Sequence, residues 1–313
     1  MTLPLVAGDL LALLAAIPLA ALGGAAFLKG VLGVAAWLRL PQLLVATTLA
    51  AFATSSPELA VSTLAALSGK PEIGLGDALG SNVVNVGLIL GIALLFGPLA
   101  ARSDGLRRDA VLALIVPILT LALALDGALS RTDGALLLTL FALWLILVAR
   151  RAMSQRQEAT ASAPAGSPAS AWLFSLAGLA ALVLAGRPFV TGASGIAVEI
   201  GVQPYLIGVT VVAVGTSLPE LVTVLLSRLR GHDDVGLGTL LGSNLFNGLA
   251  IVGVTAAIHP IRAPLAEVAT ALAFGVLTVL LMLPCAGMIA RWRSLALLAA
   301  YGAFVFVTLA ARP

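Results

Sequence analysis

Apolar residues run almost unbroken along this chain, in blocks of about twenty separated by short polar or Gly/Pro-rich breaks. A helix needs about twenty such residues to cross about 30 Å of hydrocarbon. Ten blocks qualify, at roughly 5–28, 41–68, 75–99, 109–125, 133–150, 171–186, 203–229, 236–257, 264–284 and 293–311, the sixth with room to extend past Arg187. They are Leu/Ala-rich and lack the alternation of membrane strands. The pattern predicts an all-α membrane protein with ten transmembrane helices. Met1 to Gly30 has no basic stretch ahead of its apolar run and reads as a first span, not a cleaved leader.

Two blocks are interrupted in the same way. Thr54-Ser55-Ser56-Pro57-Glu58-Leu59, followed by Gly80-Ser81-Asn82-Val83-Val84-Asn85, recurs 162 residues later as Thr216-Ser217-Leu218-Pro219-Glu220-Leu221 and Gly242-Ser243-Asn244-Leu245-Phe246-Asn247. Gly69, Gly74 and Gly76 meet Gly231, Gly236 and Gly238 at the same offset, without gaps, which marks an internal duplication. Between the copies, Arg150 and Arg151 lead into an Ala/Ser/Pro/Gly stretch ending at Ser170, a plain tether by composition. The chain therefore divides into a first five-helix half (1–150), a linker (151–170) and a second five-helix half (171–313).

Loop charge gives the orientation. Of the 17 Lys and Arg residues, twelve fall on one side: Lys29, Arg39, Arg102, Arg107, Arg108, Arg150, Arg151, Arg156, Arg228, Arg230, Arg291 and Arg293. Lys70, Arg131, Arg187, Arg262 and Arg312 fall on the other. The positive-inside rule places the twelve and the linker in the cytoplasm and both termini outside. Since five spans is an odd number, the second half enters upside down. Inverted repeats with interrupted helices at matching positions are the signature of secondary transporters. Trp37, Trp172 and Trp292 fall near span ends, as interfacial anchors do.

Composition excludes other classes. With 60% hydrophobic and 10% charged residues and a mean hydropathy of +1.12, the chain is no soluble domain. A net charge of +3 and a pI near 9.6 reflect basic residues scattered between spans and give no nucleic-acid footprint. The spans hold no nucleophile–base pair, so an enzyme is not expected, nor a resident cofactor or obligate protein partner. Cys285, alone in an apolar run, reads as a small packing residue. Glu72, Asp104, Asp109, Asp126, Asp133, Glu199, Asp233 and Asp234 lie in or near predicted loops. Asp77, near the outer end of span three and opposite Thr239 in the repeat, is expected to be solvated at the membrane edge.

Each repeat puts a proline and a glutamate in mid-span. Pro57 lacks an N–H and its ring crowds the preceding turn, freeing the carbonyl of Ala53, and Pro219 does the same to Gly215. An acidic residue at that depth costs roughly 2.5–3.5 kcal/mol on insertion scales and usually marks an ion path. Neither span offers a Lys or Arg at similar depth to neutralise Glu58 or Glu220. Around them stand the hydroxyls of Thr54, Ser55, Thr216 and Ser217. Ser81 and Asn85 share one helical face, as do Ser243 and Asn247. Ser56, Asn82 and Asn244 read equally well as packing residues. A flexible, all-oxygen, weakly anionic set suits Ca²⁺ and Na⁺ and does not suit Zn²⁺ or copper.

These paired motifs resemble the α-repeats of the cation/Ca²⁺ antiporter superfamily, specifically prokaryotic Na⁺/Ca²⁺ exchangers, and the resemblance covers most of the chain. It implies an ion site between helices two, three, seven and eight, with the first and sixth helices sliding across the bundle. It implies Glu58 and Glu220 as ligands shared by Ca²⁺ and Na⁺, with Thr54 and Thr216 adding oxygens. Ser81 and Ser243, with the carbonyls of Ala51 and Ala213, would complete flanking Na⁺ sites. Ser55 and Ser217 would support them, and Asn85 and Asn247 would occupy the middle. The chain departs from the family at Ala53, usually glycine, and at Asn247, where many exchangers carry aspartate. The expected activity is Ca²⁺/Na⁺ antiport by alternating access, with Ca²⁺/H⁺ antiport on the same scaffold as the alternative and a cation channel behind it.

Overall fold

The computed structural model describes residues 3–101, 103–155, 167–199 and 204–310. Arg102, Arg312 and most of the expected linker, residues 156–166, lie outside them. The fold is all-α. In chain order the helices are α1 (Leu3–Leu38), α2 (Gln42–Thr54), α3 (Ser56–Leu67), α4 (Pro71–Leu95), α5 (Asp104–Leu123), α6 (Arg131–Gln155) and α7 (Pro168–Glu199). Then follow α8 (Pro204–Ile207 running on into Gly208–Thr216), α9 (Leu218–Leu229), α10 (Asp233–Ile258), α11 (Leu265–Met282) and α12 (Arg293–Ala310). Among the described residues, six helices are long and apolar enough to cross a membrane, and the bent pairs α2–α3 and α8–α9 raise the number to eight.

The bends come from the proline motifs. Pro57 and Pro219 sit in the first turns of α3 and α9, where a missing N–H costs nothing. The residues before those turns, Ser55 (φ −85°, ψ 9°) and Ser217 (φ −80°, ψ 8°), leave the helical path, and the two halves of each pair meet at 43° and 50°. The expectation that Pro57 leaves the Ala53 carbonyl free is corrected. The Ser56 hydroxyl donates to that oxygen at 2.7 Å, while Leu218, its counterpart, has no hydroxyl to offer Gly215. Ser56→Ala is therefore expected to lower stability by about 1 kcal/mol, read as thermal unfolding in detergent. Gly69 (φ 72°) and Gly231 (φ 75°) end α3 and α9 in left-handed turns that a side chain would strain.

At the centre stand α4 and α10, with 78% and 83% of their spanning windows buried, against 22% for α6 and 28% for α12 on the periphery. Their glycines let the halves interlock. A Cβ on Gly80 would lie 2.3 Å from the Val209 carbonyl oxygen and 2.8 Å from the Ala213 Cβ, both in α8. One on Gly242 would lie 2.1 Å from the Thr47 oxygen and 2.6 Å from the Ala51 Cβ, both in α2. Gly76 and Gly238, one turn earlier, make the matching contacts with Tyr205 and Leu43, so each central helix uses a small-xxx-small stripe. Every one of these contacts maps onto its partner by the 162-residue offset. Elsewhere α1 and α7 run antiparallel in close backbone contact, Gly23 against Ala181, Gly30 against Ser175 and Gly33 against Ala171.

Four two-residue strands were not expected. β1 (Leu99–Ala100) pairs with β4 (Met288–Ile289), and β2 (Ala128–Leu129) with β3 (Ile261–Arg262), both antiparallel and each joining one half to the other. Arg228 reinforces the first junction: it pairs with Asp233 at 3.1 Å and donates to the Phe96 carbonyl, while Asp233 accepts from the Ala100 N–H.

Three expectations change with the fold. Lys29 does not start a loop, because nothing breaks the helix before Arg39 (φ 53°) and Pro41, and its ammonium lies over the Phe174 ring at 4.1 Å. At 36 residues α1 is about 54 Å long, well beyond the hydrocarbon thickness. Cys285 is exposed rather than packed, since Pro284 has already ended α11 and the chain turns back on itself between Cys285 and Met288. Asp109 is buried inside α5, paired with Arg108 at 2.6 Å.

Candidate ion-binding site

The two bends meet in the interior. Glu58 and Glu220 lie in the first turns of α3 and α9, where unpaired N–H groups and the helix dipole favour negative charge. Ser55 donates across the junction to Glu220 Oε1 at 3.0 Å, and Ser217 donates back to Glu58 Oε1 at 3.3 Å. Each half thus holds one oxygen of the other half's carboxylate. The second oxygens, Glu58 Oε2 and Glu220 Oε2, are buried and have no protein partner. Both glutamates are 0% exposed, and the ion pairs found among the described residues, Arg108–Asp109 and Arg228–Asp233, involve neither. A buried carboxylate oxygen left unpaired in this way is expensive, and a cation is the natural partner for it.

The remaining predicted residues surround this pair. Ser243 donates to Glu220 Oε1 at 3.0 Å, and its oxygen lies 3.5 Å from Thr54 Oγ1, which in turn is 3.3 Å from the Ala51 carbonyl. On the mirror side Ser81 Oγ is 3.5 Å, and Thr216 Oγ1 3.4 Å, from the Ala213 carbonyl. Asn85 donates to Asn244 Oδ1 at 3.0 Å, keeping its own Oδ1 buried and unpartnered. Asn247 has both polar atoms in that condition. All twelve predicted residues are buried.

Three features escaped the sequence reading. Four π-helical turns, Ala46–Ala50, Val84–Leu90, Gly208–Val212 and Phe246–Ile251, flank the site in offset-matched pairs. Such turns concentrate at functional positions, but hydropathy cannot register them. Asn244 is a tie between α4 and α10, donating to the Asn82 carbonyl at 3.2 Å while accepting from Asn85. Asp77, expected at the membrane edge, is fully buried and accepts from Thr216 Oγ1 at 2.9 Å and from Ser62 at 3.4 Å. The signal that could have found it is spacing: positions 77, 81 and 85 share one face of α4.

An oxygen-only chamber with unsatisfied carboxylates, built on two half-helix breaks, narrows the comparison with known proteins. Residues 9–150 and 170–310 match the family described as sodium/calcium exchanger protein. The chain belongs to that family. Among its relatives is the putative antiporter CaxA of Alkalimonas amylolytica, 37% identical over 243 residues, or 75% of this chain and 76% of CaxA. The inner membrane protein YrbG of Escherichia coli (strain K12) is 36% identical over 234 residues, 71% of each chain. The structure also superposes on the sodium-calcium exchanger NCX_Mj with a TM-score of 0.80 at 27% identity, covering 97% of this chain and 98% of that one. This exchanger-family chain is a multi-pass membrane protein of a transporter family, not an enzyme family, and a cation/Ca²⁺ antiporter in class.

Proposed function

We propose that this member of the sodium/calcium exchanger family moves Ca²⁺ against Na⁺ by alternating access, with Glu58 and Glu220 as the ligands both ions share. The observation that carries this reading is the crossed arrangement at the bends. Two carboxylates, each with one oxygen held by the opposite half and one buried without a partner, can balance one Ca²⁺ or two Na⁺ but not both loads at once. Thr54, Thr216, Ser81, Ser243 and the carbonyls of Ala51 and Ala213 supply neutral oxygens beside the pair. Ser55 and Ser217 orient the carboxylates, and Asn85 and Asn247 fill the middle. NCX_Mj, a sodium-calcium exchanger studied for ion exchange and binding-site occlusion, supports the reading.

The architecture we infer is ten spans in two inverted five-helix repeats, 1–150 and 171–313, joined by a cytoplasmic linker at 151–170, in the inner membrane with both termini outside. The loop junctions support it. β1 and β4 lie in loops that the charge count assigns to the cytoplasm, and β2 and β3 in loops assigned to the outside, so each pairing joins loops of one side. The antiparallel pair α1–α7 is the element that slides, admitting water to the chamber from one face at a time.

The deciding experiment measures Ca²⁺ uptake into proteoliposomes under an imposed Na⁺ gradient and then under a pH gradient alone. Uptake driven by Na⁺ and indifferent to pH is the expected result. Uptake that follows pH and ignores Na⁺ would make the chain a Ca²⁺/H⁺ antiporter, and flux with no counter-ion at single-channel rates would make it a channel.

A further inference from the structure

The chamber has two ends, and they are not alike. At one end the Ala51 carbonyl, Thr54 and Ser243 cluster, with Thr54 Oγ1 3.3 Å from the carbonyl and 3.5 Å from Ser243. At the other, the Ala213 carbonyl, Thr216 and Ser81 cluster at 3.4 and 3.5 Å. The 162-residue offset maps one set onto the other. It also maps Asp77 onto Thr239, and there the likeness stops. Thr239 turns its hydroxyl back to the Val235 carbonyl of its own helix at 2.8 Å. Asp77 instead reaches across to the opposite half and takes the Thr216 hydroxyl at 2.9 Å.

Two consequences follow from that contact. Thr216 has one proton; given to Asp77, it leaves the lone pairs of Oγ1 free to face a cation. Consecutive residues Thr216 and Ser217 hold Asp77 and Glu58 respectively, so the carboxylate of Asp77 is anchored to the same two-residue segment as one of the shared ligands. Its contact with the predicted ligand set is Thr216, which puts Asp77 on the Thr216 side of the glutamate pair. It stands at one flank. Fully buried and outside both ion pairs of the described residues, it places a third carboxyl group beside the Ala213–Thr216–Ser81 end.

We propose that Asp77 gives this end a further carboxylate for a monovalent cation, Na⁺ under the exchange reading on which the proposal rests, while the Ala51–Thr54–Ser243 end has Glu220 alone. The transporter then carries two unequal flanking positions, the stronger one on the side of Asp77.

The test compares wild type with Asp77→Thr, which installs the residue the second half already holds at the equivalent place, and with Asp77→Asn as the isosteric version should the first fail to fold. Thr239→Val is the mirror control. Na⁺-driven Ca²⁺ uptake is measured as a function of internal Na⁺ at saturating external Ca²⁺, then as a function of external Ca²⁺ at saturating internal Na⁺ with no Na⁺ on the Ca²⁺ side. Loss of Asp77 is expected to raise the Na⁺ concentration for half-maximal exchange about tenfold, the scale of one lost charged partner, with the Ca²⁺ dependence moved less than twofold. Thr239→Val is expected to change neither. An unchanged Na⁺ dependence, or equal shifts for Na⁺ and Ca²⁺, overturns the proposal. A wild type whose uptake ignores Na⁺ overturns the exchange reading instead.

Discussion

Replacing either Glu58 or Glu220 with glutamine should bring Na⁺-driven Ca²⁺ uptake in proteoliposomes down to the level of empty liposomes. The amide keeps an oxygen for the crossing serine, Ser217 for Glu58 and Ser55 for Glu220, so the junction between the halves stays packed. What is lost is one of the two carboxylate charges the ion would share, at a buried position where stripping one partner from a buried charge pair costs about 3–5 kcal/mol. That is more than about a hundredfold in ion affinity. The two single variants should be equally inactive, and the double variant no worse than either, because both carboxylates serve the same ion. Thermal unfolding in detergent separates this from misfolding: both variants are expected to melt near wild type in the absence of Ca²⁺ and to lose the stabilisation that Ca²⁺ gives the wild type. Substantial transport by either variant would remove that glutamate from the site.

The second large effect concerns fold rather than chemistry. Gly242→Ala would drive a methyl group to 2.1 Å from the Thr47 carbonyl oxygen, and Gly80→Ala to 2.3 Å from that of Val209. Both obstacles are backbone, which cannot rotate aside as a side chain does. The cost is therefore set at the upper end of overpacking, about 3 kcal/mol or more, and relief comes only by parting α10 from α2 or α4 from α8. Those are the surfaces that carry Ser243 and Ser81 to the glutamates, so the variants should show both low folding yield and weak transport in whatever folds. Gly302→Ala, where a Cβ meets nothing within 4 Å, is the matched control and should behave as wild type. A Gly242→Ala protein with normal melting and normal exchange would mean that the interface yields more readily than its geometry indicates.

How much of this was legible beforehand depends on the range of each interaction. The apolar blocks, the Pro-Glu interruptions and the serines and asparagines spaced four apart are local patterns. They led directly to the bends at Ser55 and Ser217 and to the buried Glu58 and Glu220 with the hydroxyls and amides around them, while Ala51 and Ala213 came from the family resemblance. Lys29 misled because a charge was read as a boundary, whereas a lysine can lay its stem along a neighbouring aromatic without leaving the helix. Asp77 misled for a different reason. Departure from the repeat was taken as loss of importance, and the hydroxyl that receives it, Thr216, lies 139 residues away in the chain. The π-helical turns and the paired strands depend on register and on loops brought together by tertiary packing, and no periodicity announces either.

The interlocking of the halves has one more consequence. Exchange of the two repeats carries Ser55–Glu220 onto Ser217–Glu58 and the Gly80 contact onto the Gly242 contact, so in the inverted arrangement we propose the core would look alike from either side of the bilayer. Such a core has no built-in arrow. Under the exchange we propose, it would run forwards or backwards, with the net direction of flux left to the ion gradients the cell maintains. The places near the glutamates where the halves disagree include Ser56 against Leu218, Ala53 against Gly215 and Asp77 against Thr239.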